Sequence, residues 1–409
     1  MDLTPQQRKK LLGKVERLVA RKFFDANFNG HDWPALVKAS EKQILEAGSP
    51  EGFEKEVHSL VSQLGVSHIG FGHESSRRVP ARRSICATFR DHEGSNGPCW
   101  VFQDVHEDGP AFNAGLRPGD VLCTVNGREI RPPEDPEFPM GITMSVTIER
   151  KDEQRHSIQL AVPESKSKKF PYTEPRLVSW SKLEDGVGWL KVSMFPGQVG
   201  IDISHDIDEA VRQLEDCDRL IIDLRGNSGG GMGMLRLMSY LTPEKLPVGY
   251  SLTRRRAQKG YRKEDLARFG WIPSHKIALI WLALRYGFVD KSIAVVTEGL
   301  GPKRFHGRIV ILVNEHSASA SEVIAAFAQE NNLARIVGTP TVGRLLSGDP
   351  HRVGHGYMLV VPTAAYLTWN GQFIEGKGIK PDQEVPWSLE SVIDGKDSQL
   401  ERALEIITA

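Results

Sequence analysis

The sequence predicts an α/β core that is preceded by a helical region and interrupted by a β-rich module. Three observations carry this. Residues 1 to about 78 place apolar side chains three and four apart, the repeat of a buried helix face. From about Ser84 short β-like runs take over, ICATFR, CWVFQDV, DVLCTVNG and MSVTIER. After a polar linker, PESKSKKFPYTEPR, strands alternate with helices, which argues for a largely buried sheet of parallel type.

Taken in order, MDLTPQQRKKLLGKVERLVARKFF is a first amphipathic helix, with Leu11, Leu12, Val15, Leu18 and Val19 near helical spacing. DWPALVKASEKQILEAG and PEGFEKEVHSLVSQLG repeat the pattern and end near glycine, a helix stop. No strand pattern is visible in this region. VHEDGPAFNAGLRPGDVLCTVNGREI then reads as a strand, a short helix at PAFNAG, a Pro-Gly-Asp turn, and a strand ending in an Asn-Gly turn. Beyond the linker, GVGWLKVSMF, RLIIDLRG and RIVILVN read as strands and DISHDIDEAVRQLED as a helix. Another helix is expected after Ser321, two strands within MLVVPTAAYLTWNG, and a closing helix at DSQLERALEIITA. The stretch of about 243–302 fits the alternation least. Its run TRRRAQKGYRKEDLARFG is basic. It reads as a surface insertion with a solvated face, the alternative being a lid or a grip on acidic substrate segments.

A chain of 409 residues suggests two or three domains. With 40% apolar and 25% charged residues it is ordinary for a soluble globular protein. Its 52 basic and 52 acidic residues cancel, so bulk charge favours no nucleic-acid partner and no anionic membrane. The four cysteines, Cys86, Cys99, Cys123 and Cys217, form no CxxC pair, so neither a metal site nor a redox motif is expected. The N-terminal stretch has no apolar core of signal-peptide length. The longest apolar run, Ile277 to Leu284, is too short for a membrane span. A soluble, cytoplasmic protein with reduced thiols is therefore expected.

Two stretches can carry chemistry. NEHSASASE sets Ser317, Ser319 and Ser321 at alternate positions before a helix, so one of them is a candidate nucleophile on a strand-to-helix turn. A serine needs a base to take its proton. LIIDLRGNSGGGMG follows an apolar strand with Gly229, Gly230 and Gly231, whose backbone N–H groups can hold an oxyanion or a phosphate. The Gly-Lys-Ser or Gly-Lys-Thr ending of a phosphate loop is missing.

DLRGNSGG, NEHSASASE and GTPTVG together resemble the tail-specific and tricorn-type serine peptidases of the S41 class. The resemblance spans nearly the whole chain, taking in FFDANFNGHDW and the ending GKGIKPDQEVP. Residues of about 80–163 resemble a PDZ domain of the bacterial protease type. The resemblance implies a helical cap over 1–78 carrying Ser67 and His68, and a PDZ domain over 79–165. The protease core over 166–409, of the ClpP/crotonase-like spiral β-α class, would carry Ser319 and Glu375. It implies a peptidase acting on peptide or protein substrates, with a C-terminal peptide bound at the PDZ domain, no metal or organic cofactor, and room for a homo-oligomer.

In that class the nucleophile is the middle serine, here Ser319. The oxyanion donors would be the N–H groups of Ala320 and of one glycine in the pair Gly229 and Gly230. The commoner branch activates its serine with a lysine in a GKG that follows PT-aromatic, and the matching positions here are Val342, Gly343 and Arg344. Arginine keeps its proton and cannot be the base. Either the chain is an inactive relative that binds peptides or apolar ligands, or its base lies elsewhere. LVSQLGVSHIGFG offers Ser67 and His68. In tricorn-type members a histidine in such a context is the general base, oriented by the neighbouring serine and a late glutamate. IEGKGIKPDQEVP makes Glu375 the match, with Gly376 where many relatives have asparagine. His73, His351 and His355 compete for the role of base. His316 lies three residues from Ser319, and across an extended strand it would point away. Arg344 is either a surface residue or a bidentate partner for a peptide carboxylate.

Overall fold

The computed structural model describes residues 3–74, 79–95, 97–150, 154–164, 173–286 and 289–409. The chain divides into two compact units, each gathered from separated stretches. One takes Met1–Ser76, Glu244–Gly299 and Gly343–Gly378; the other takes Arg77–Pro243, Leu300–Val342 and Ile379–Ala409.

The first unit opens with three helices, Pro5–Lys22, Trp33–Leu45 and Pro50–Ser62. Each has a side-chain cap and an early proline, which supplies a helix φ at no hydrogen-bond cost. Thr4 Oγ1 accepts from the Gln7 N–H while the Gln7 side chain accepts from the Thr4 N–H, a reciprocal capping box. Asp32 and Ser49 accept from the N–H groups of Ala35 and Gly52. The buried faces, with Val15, Val19, Ile44, Phe53 and Leu60, pack on Phe71, Tyr357, Leu359 and Val361 of a sheet.

That sheet runs Gly70–His73, Tyr357–Thr368, Pro247–Thr253, Ile293–Val296, Ala267–Phe269, with Leu346–Gly354 also paired to Tyr357–Thr368. It corrects three expectations. The N-terminal region is not wholly helical, because Gly70–His73 pairs antiparallel with Tyr357–Thr368, Gly70 opposite Val360. Four residues with two glycines carry too little alternation to be seen. The stretch 243–302 is not a surface insertion alone: Pro247–Thr253 lies between two other strands and buries Val248, Tyr250 and Leu252. MLVVPTAAYLTWNG supplies one strand, Tyr357–Thr368, rather than two. Pro362 interrupts the pattern in sequence only, since it stands opposite Gly348 beside a register shift, where a missing N–H is tolerated.

In the second unit a sheet runs Gln383–Glu384, Arg335–Gly338, Arg308–Val313, Arg219–Asp223, Val187–Val192, Val178–Lys182. All neighbours are parallel except the last pair. Ile221, Val310, Leu312 and Val337 are buried with Ala403 and Ile407 of the closing helix Ser398–Thr408. An antiparallel sheet follows the order Ala87–Gly94, Gly97–Val105, Val121–Val125, Ile142–Glu149, Arg155–Val162 around Phe102, Leu116, Leu122, Val146 and Leu160. The short helix Pro110–Asn113 and the turn at Asn126 and Gly127, φ 50° and 76°, stand where the sequence places them. Of the linker PESKSKKFPYTEPR, residues 165–172 lie outside the described residues.

A buried ion network ties this unit together. Asp223 ends a central strand with its carboxylate fully buried. Arg225 grips it through Nε and Nη2 at 3.0 and 2.7 Å and grips Asp397, the cap of the closing helix, at 2.8 and 2.7 Å. Burial alone would raise the Asp223 pKa, but Arg225 and Lys191 hold it well below the usual carboxylate range. Asp397 is lowered too, again against burial and through Arg225. These depressed carboxylates contribute stability that is present above their unfolded pKa and is lost as pH falls through the folded values. Arg225→Ala strands a buried charge, so it is expected to cost about 3–5 kcal/mol in urea unfolding and to flatten the acid limb of the stability profile.

Candidate active site

Ser319 stands between the strand Arg308–Val313 and the helix Ala320–Glu330, with φ 54° and ψ −111°. This left-handed backbone is costly for a residue with a Cβ, so something must hold it. The Ser319 N–H donates to Glu322 Oε2 at 2.8 Å, and the buried Glu322 also accepts from Thr341 Oγ1 at 2.7 Å. The Ala318 N–H donates to the Asn227 carbonyl at 3.0 Å. Ser317 and Ser321 are fully buried and donate to the carbonyls of Leu224 and Asn227 at 2.8 and 3.1 Å. Both are structural hydroxyls. Ser321 lies inside the helix, whose cap position belongs to Ser319.

The glycine stretch lies against this turn. A Cβ on Gly229 would come within 2.6 Å of Ser319 Cβ and 2.9 Å of the Ala320 nitrogen. One on Gly230 would lie 1.9 Å from the Phe195 carbonyl. The Gly229 N–H donates to Asn227 Oδ1 at 2.7 Å. Phe195 bridges Gly230 in parallel fashion. Its N–H bonds to Gly229 O at 3.0 Å and its carbonyl accepts from Gly231 at 2.7 Å. In that pattern the N–H of Gly230 points the other way.

Residues of the antiparallel sheet and its approach brace both loops. Buried Arg82 donates to the carbonyls of Gly226, at 2.6 Å, and Ser193. Asp104 accepts from Asn314 Nδ2 at 3.1 Å, and Asn314 Oδ1 accepts from the Gly226 N–H at 3.0 Å. His106 Nδ1 lies 3.1 Å from Ser193 Oγ. Burial, with Arg82 and Lys191 adding to it, pushes the His106 pKa well down, so this imidazole is neutral. Sequence reading missed Arg82, in the short helix Ala81–Ser84, Asp104, in the strand Gly97–Val105, and His106 just after it; no motif marks them. His316 sits in a turn rather than an extended strand, with Nε2 3.2 Å from Gln103 Oε1.

In the other unit, Ser67, His68 and Glu375 form a hydrogen-bonded chain. His68 Nδ1 lies 2.8 Å from Ser67 Oγ, which donates to Glu375 Oε2 at 2.9 Å. A hydroxyl that donates to the carboxylate must accept from the ring, so Nδ1 carries a proton. Glu375 is buried and accepts two further bonds, from the N–H groups of Ser67 at 2.6 Å and Leu345 at 2.7 Å. His68 is exposed and has φ 56°. Gly348 lets its strand approach, since a Cβ there would lie 3.0 Å from the His68 Cβ and carbonyl. Gly376 has φ 72°, a conformation that asparagine also adopts. Its N–H donates to the Gly343 carbonyl at 2.8 Å. Exposed Arg344 is thus carried between Gly343 and Leu345, both anchored to the Glu375 turn. Of the competing histidines, His73 Nε2 is 3.0 Å from the His355 carbonyl, and burial lowers the His351 pKa. Among the described residues no group of three His, Cys, Asp or Glu side chains is arranged to hold a metal ion.

Residues 186–385 match the family model of Peptidase family S41. The carboxyl-terminal-processing protease of Synechocystis sp. is 27% identical over 319 residues, 73% of this chain and 62% of that protein. The carboxy-terminal-processing protease of Bartonella bacilliformis is 25% identical over 304 residues, 72% and 60% of the two chains. This chain thus spans about three-fifths of the length of those relatives. Among solved structures, a photosystem II D1 C-terminal processing protease matches with a TM-score of 0.59 at 18% identity, covering 98% of this chain and 97% of that one. A putative S41 protease from Bacteroides fragilis matches with a TM-score of 0.60 at 13% identity, covering 96% of each. The mixed α/β sheets are those of S41 protease folds.

Proposed function

We propose, for a chain that carries a peptidase family S41 domain over residues 186–385, that it is a serine peptidase of the carboxyl-terminal-processing kind. The observation that carries this reading is the hydrogen-bonded chain Glu375–Ser67–His68, which orients an imidazole although Arg344 stands where lysine would be. Ser319 is the nucleophile, His68 the general base, Ser67 and Glu375 its orienters. Ser319 Oγ attacks the scissile carbonyl carbon while His68 Nε2 takes its proton. The oxygen of the tetrahedral adduct is held by the N–H groups of Gly230 and Ala320, donors on rigid backbone aimed where negative charge develops. His68 gives its proton to the departing amine, and the acyl-enzyme is then hydrolysed by water that the same imidazole deprotonates.

The module of residues 79–165 is read as a PDZ domain that takes up the substrate's C-terminal segment as an added strand, and the 166–409 region as the spiral core. Arg344 serves as a partner for a peptide carboxylate. Arg344→Ala is expected to keep kcat within about twofold and to raise KM by about fivefold, since a contact made equally in ground and transition states acts on KM alone. A collapse of kcat would instead place the arginine in the chemistry. The reading as a whole is tested by incubating the 409-residue chain with matched peptides ending in a free carboxylate or an amide, products being identified by mass spectrometry. Cleavage, faster for the free carboxylate, is expected. Intact peptides of both kinds after exposure to folded protein would reject it.

A further inference from the structure

The helix Ala278–Tyr286 turns its apolar stripe the wrong way for a core helix. Ile277, Ile280, Trp281 and Leu284 follow the spacing that normally faces a protein interior, yet they are 82%, 66%, 50% and 69% exposed. Trp271 extends the patch, its ring 6.1 Å from that of Trp281 and edge-on to it. Contiguous exposed apolar surface of this kind marks an interaction site.

The charge around the patch says what it meets. Residues 254–291 hold ten basic and three acidic side chains in a chain whose total charge is zero, although Arg254, Arg262, Lys263 and Lys291 are engaged with Ala20, Asp265, Trp369 and Asp349. Lys276 and Arg285, next in sequence to Ile277 and Leu284, are exposed, and so is Arg268. The Arg285 guanidinium lies 5.1 Å from the Trp281 ring, and the Tyr286 hydroxyl donates to the Arg268 carbonyl at 2.5 Å, which places that strand next to the helix. Apolar residues on one face, tryptophans at its border and cations around it make up the pattern of a helix lying in a lipid interface. A second copy of the chain fits less well, because a two-fold contact would set this basic rim against itself. The helix has nine residues, far fewer than a span requires, and among the described residues no helix is long and apolar enough to cross a membrane.

We propose that the face of Ile277, Ile280, Trp281 and Leu284 docks this protein peripherally on an anionic lipid surface. The apolar side chains enter the headgroup and acyl boundary, and the basic residues hold the lipid charge. This does not depend on peptidase activity. The test is flotation of the full chain with vesicles of phosphatidylcholine alone or mixed with phosphatidylserine, for wild type and for an Ile280→Glu/Leu284→Glu variant. Both side chains are exposed, so an unchanged thermal melt is expected to confirm the variant's fold. Wild type is expected to float with the phosphatidylserine vesicles, at least about tenfold less with phosphatidylcholine alone or in high salt. The variant is expected to lose about tenfold or more. Three results would overturn the proposal. These are no flotation of wild type, equal flotation of the variant (charge adsorption alone), or a dimer in light scattering that the variant loses while neither protein floats.

Discussion

Ser319→Ala is expected to lower kcat/KM for peptide hydrolysis by about 10⁴-fold or more while leaving the melting temperature close to that of wild type. The size of the effect follows from the role proposed for the hydroxyl: without it no acyl-enzyme forms, and the donors of the turn have no oxyanion to hold. The fold is expected to survive because the backbone is held from outside the side chain. The Ser319 N–H is bound by Glu322 and its carbonyl accepts from the N–H groups of Glu322 and Val323, contacts that alanine keeps. Steady-state kinetics on a cleaved peptide, run beside a thermal melt, checks both halves. A variant that still turns over peptide would show that another residue is the nucleophile.

His68→Ala is expected to cost as much as loss of the serine, because in such sites nucleophile and base act as a unit. Glu375→Gln separates orientation from chemistry. The carboxylate now accepts from Ser67 Oγ, Ser67 N and Leu345 N. An amide offers one oxygen and an NH₂, which turns the Ser67 hydroxyl and the imidazole tautomer behind it. A fall in kcat of about 10²- to 10⁴-fold is expected, by analogy with a base held in the wrong tautomer. In wild type the rate should fall on the acid side as the imidazole takes up a proton. The residual activity of His68→Ala should lack that acid limb. Identical pH profiles in the two proteins would contradict the assignment.

The residues of the candidate site were legible because each lies in a local signature. SASASE, GNSGG, the Ser67–His68 pair and the Glu375 turn each fit in a few consecutive positions. Their local geometry explains why the sequence must read as it does: Ser319 and His68 share a left-handed backbone, and Gly229 is packed too close to Ser319 for a Cβ. That the Asn227 side chain takes the Gly229 N–H was not legible, since it depends on the folded turn. Nor were Arg82 and Asp104, which act on Gly226 and Asn314 across long sequence separations.

The fold divided in the same way. The parallel core announced itself through apolar strands between helices, and the antiparallel module through its turns. The sheet of the first unit did not, because its strands come from positions as far apart as Gly70, Pro247 and Tyr357. Pairing at such distance is set by register and burial in the folded chain, for which a four-residue strand or a strand followed by a basic run gives no periodic sign. Pro362 misled for a related reason: it marks a break in a pattern read alone, and a tolerated irregularity once its partner strand is present.

The central claim is that Ser319 is activated by His68, and labelling with a serine-reactive fluorophosphonate tests it most directly. Wild type is expected to take the label, with both Ser319→Ala and His68→Ala failing to do so while remaining folded. Labelling that persists in His68→Ala at the wild-type rate, or a folded wild type that takes no label, would contradict the account.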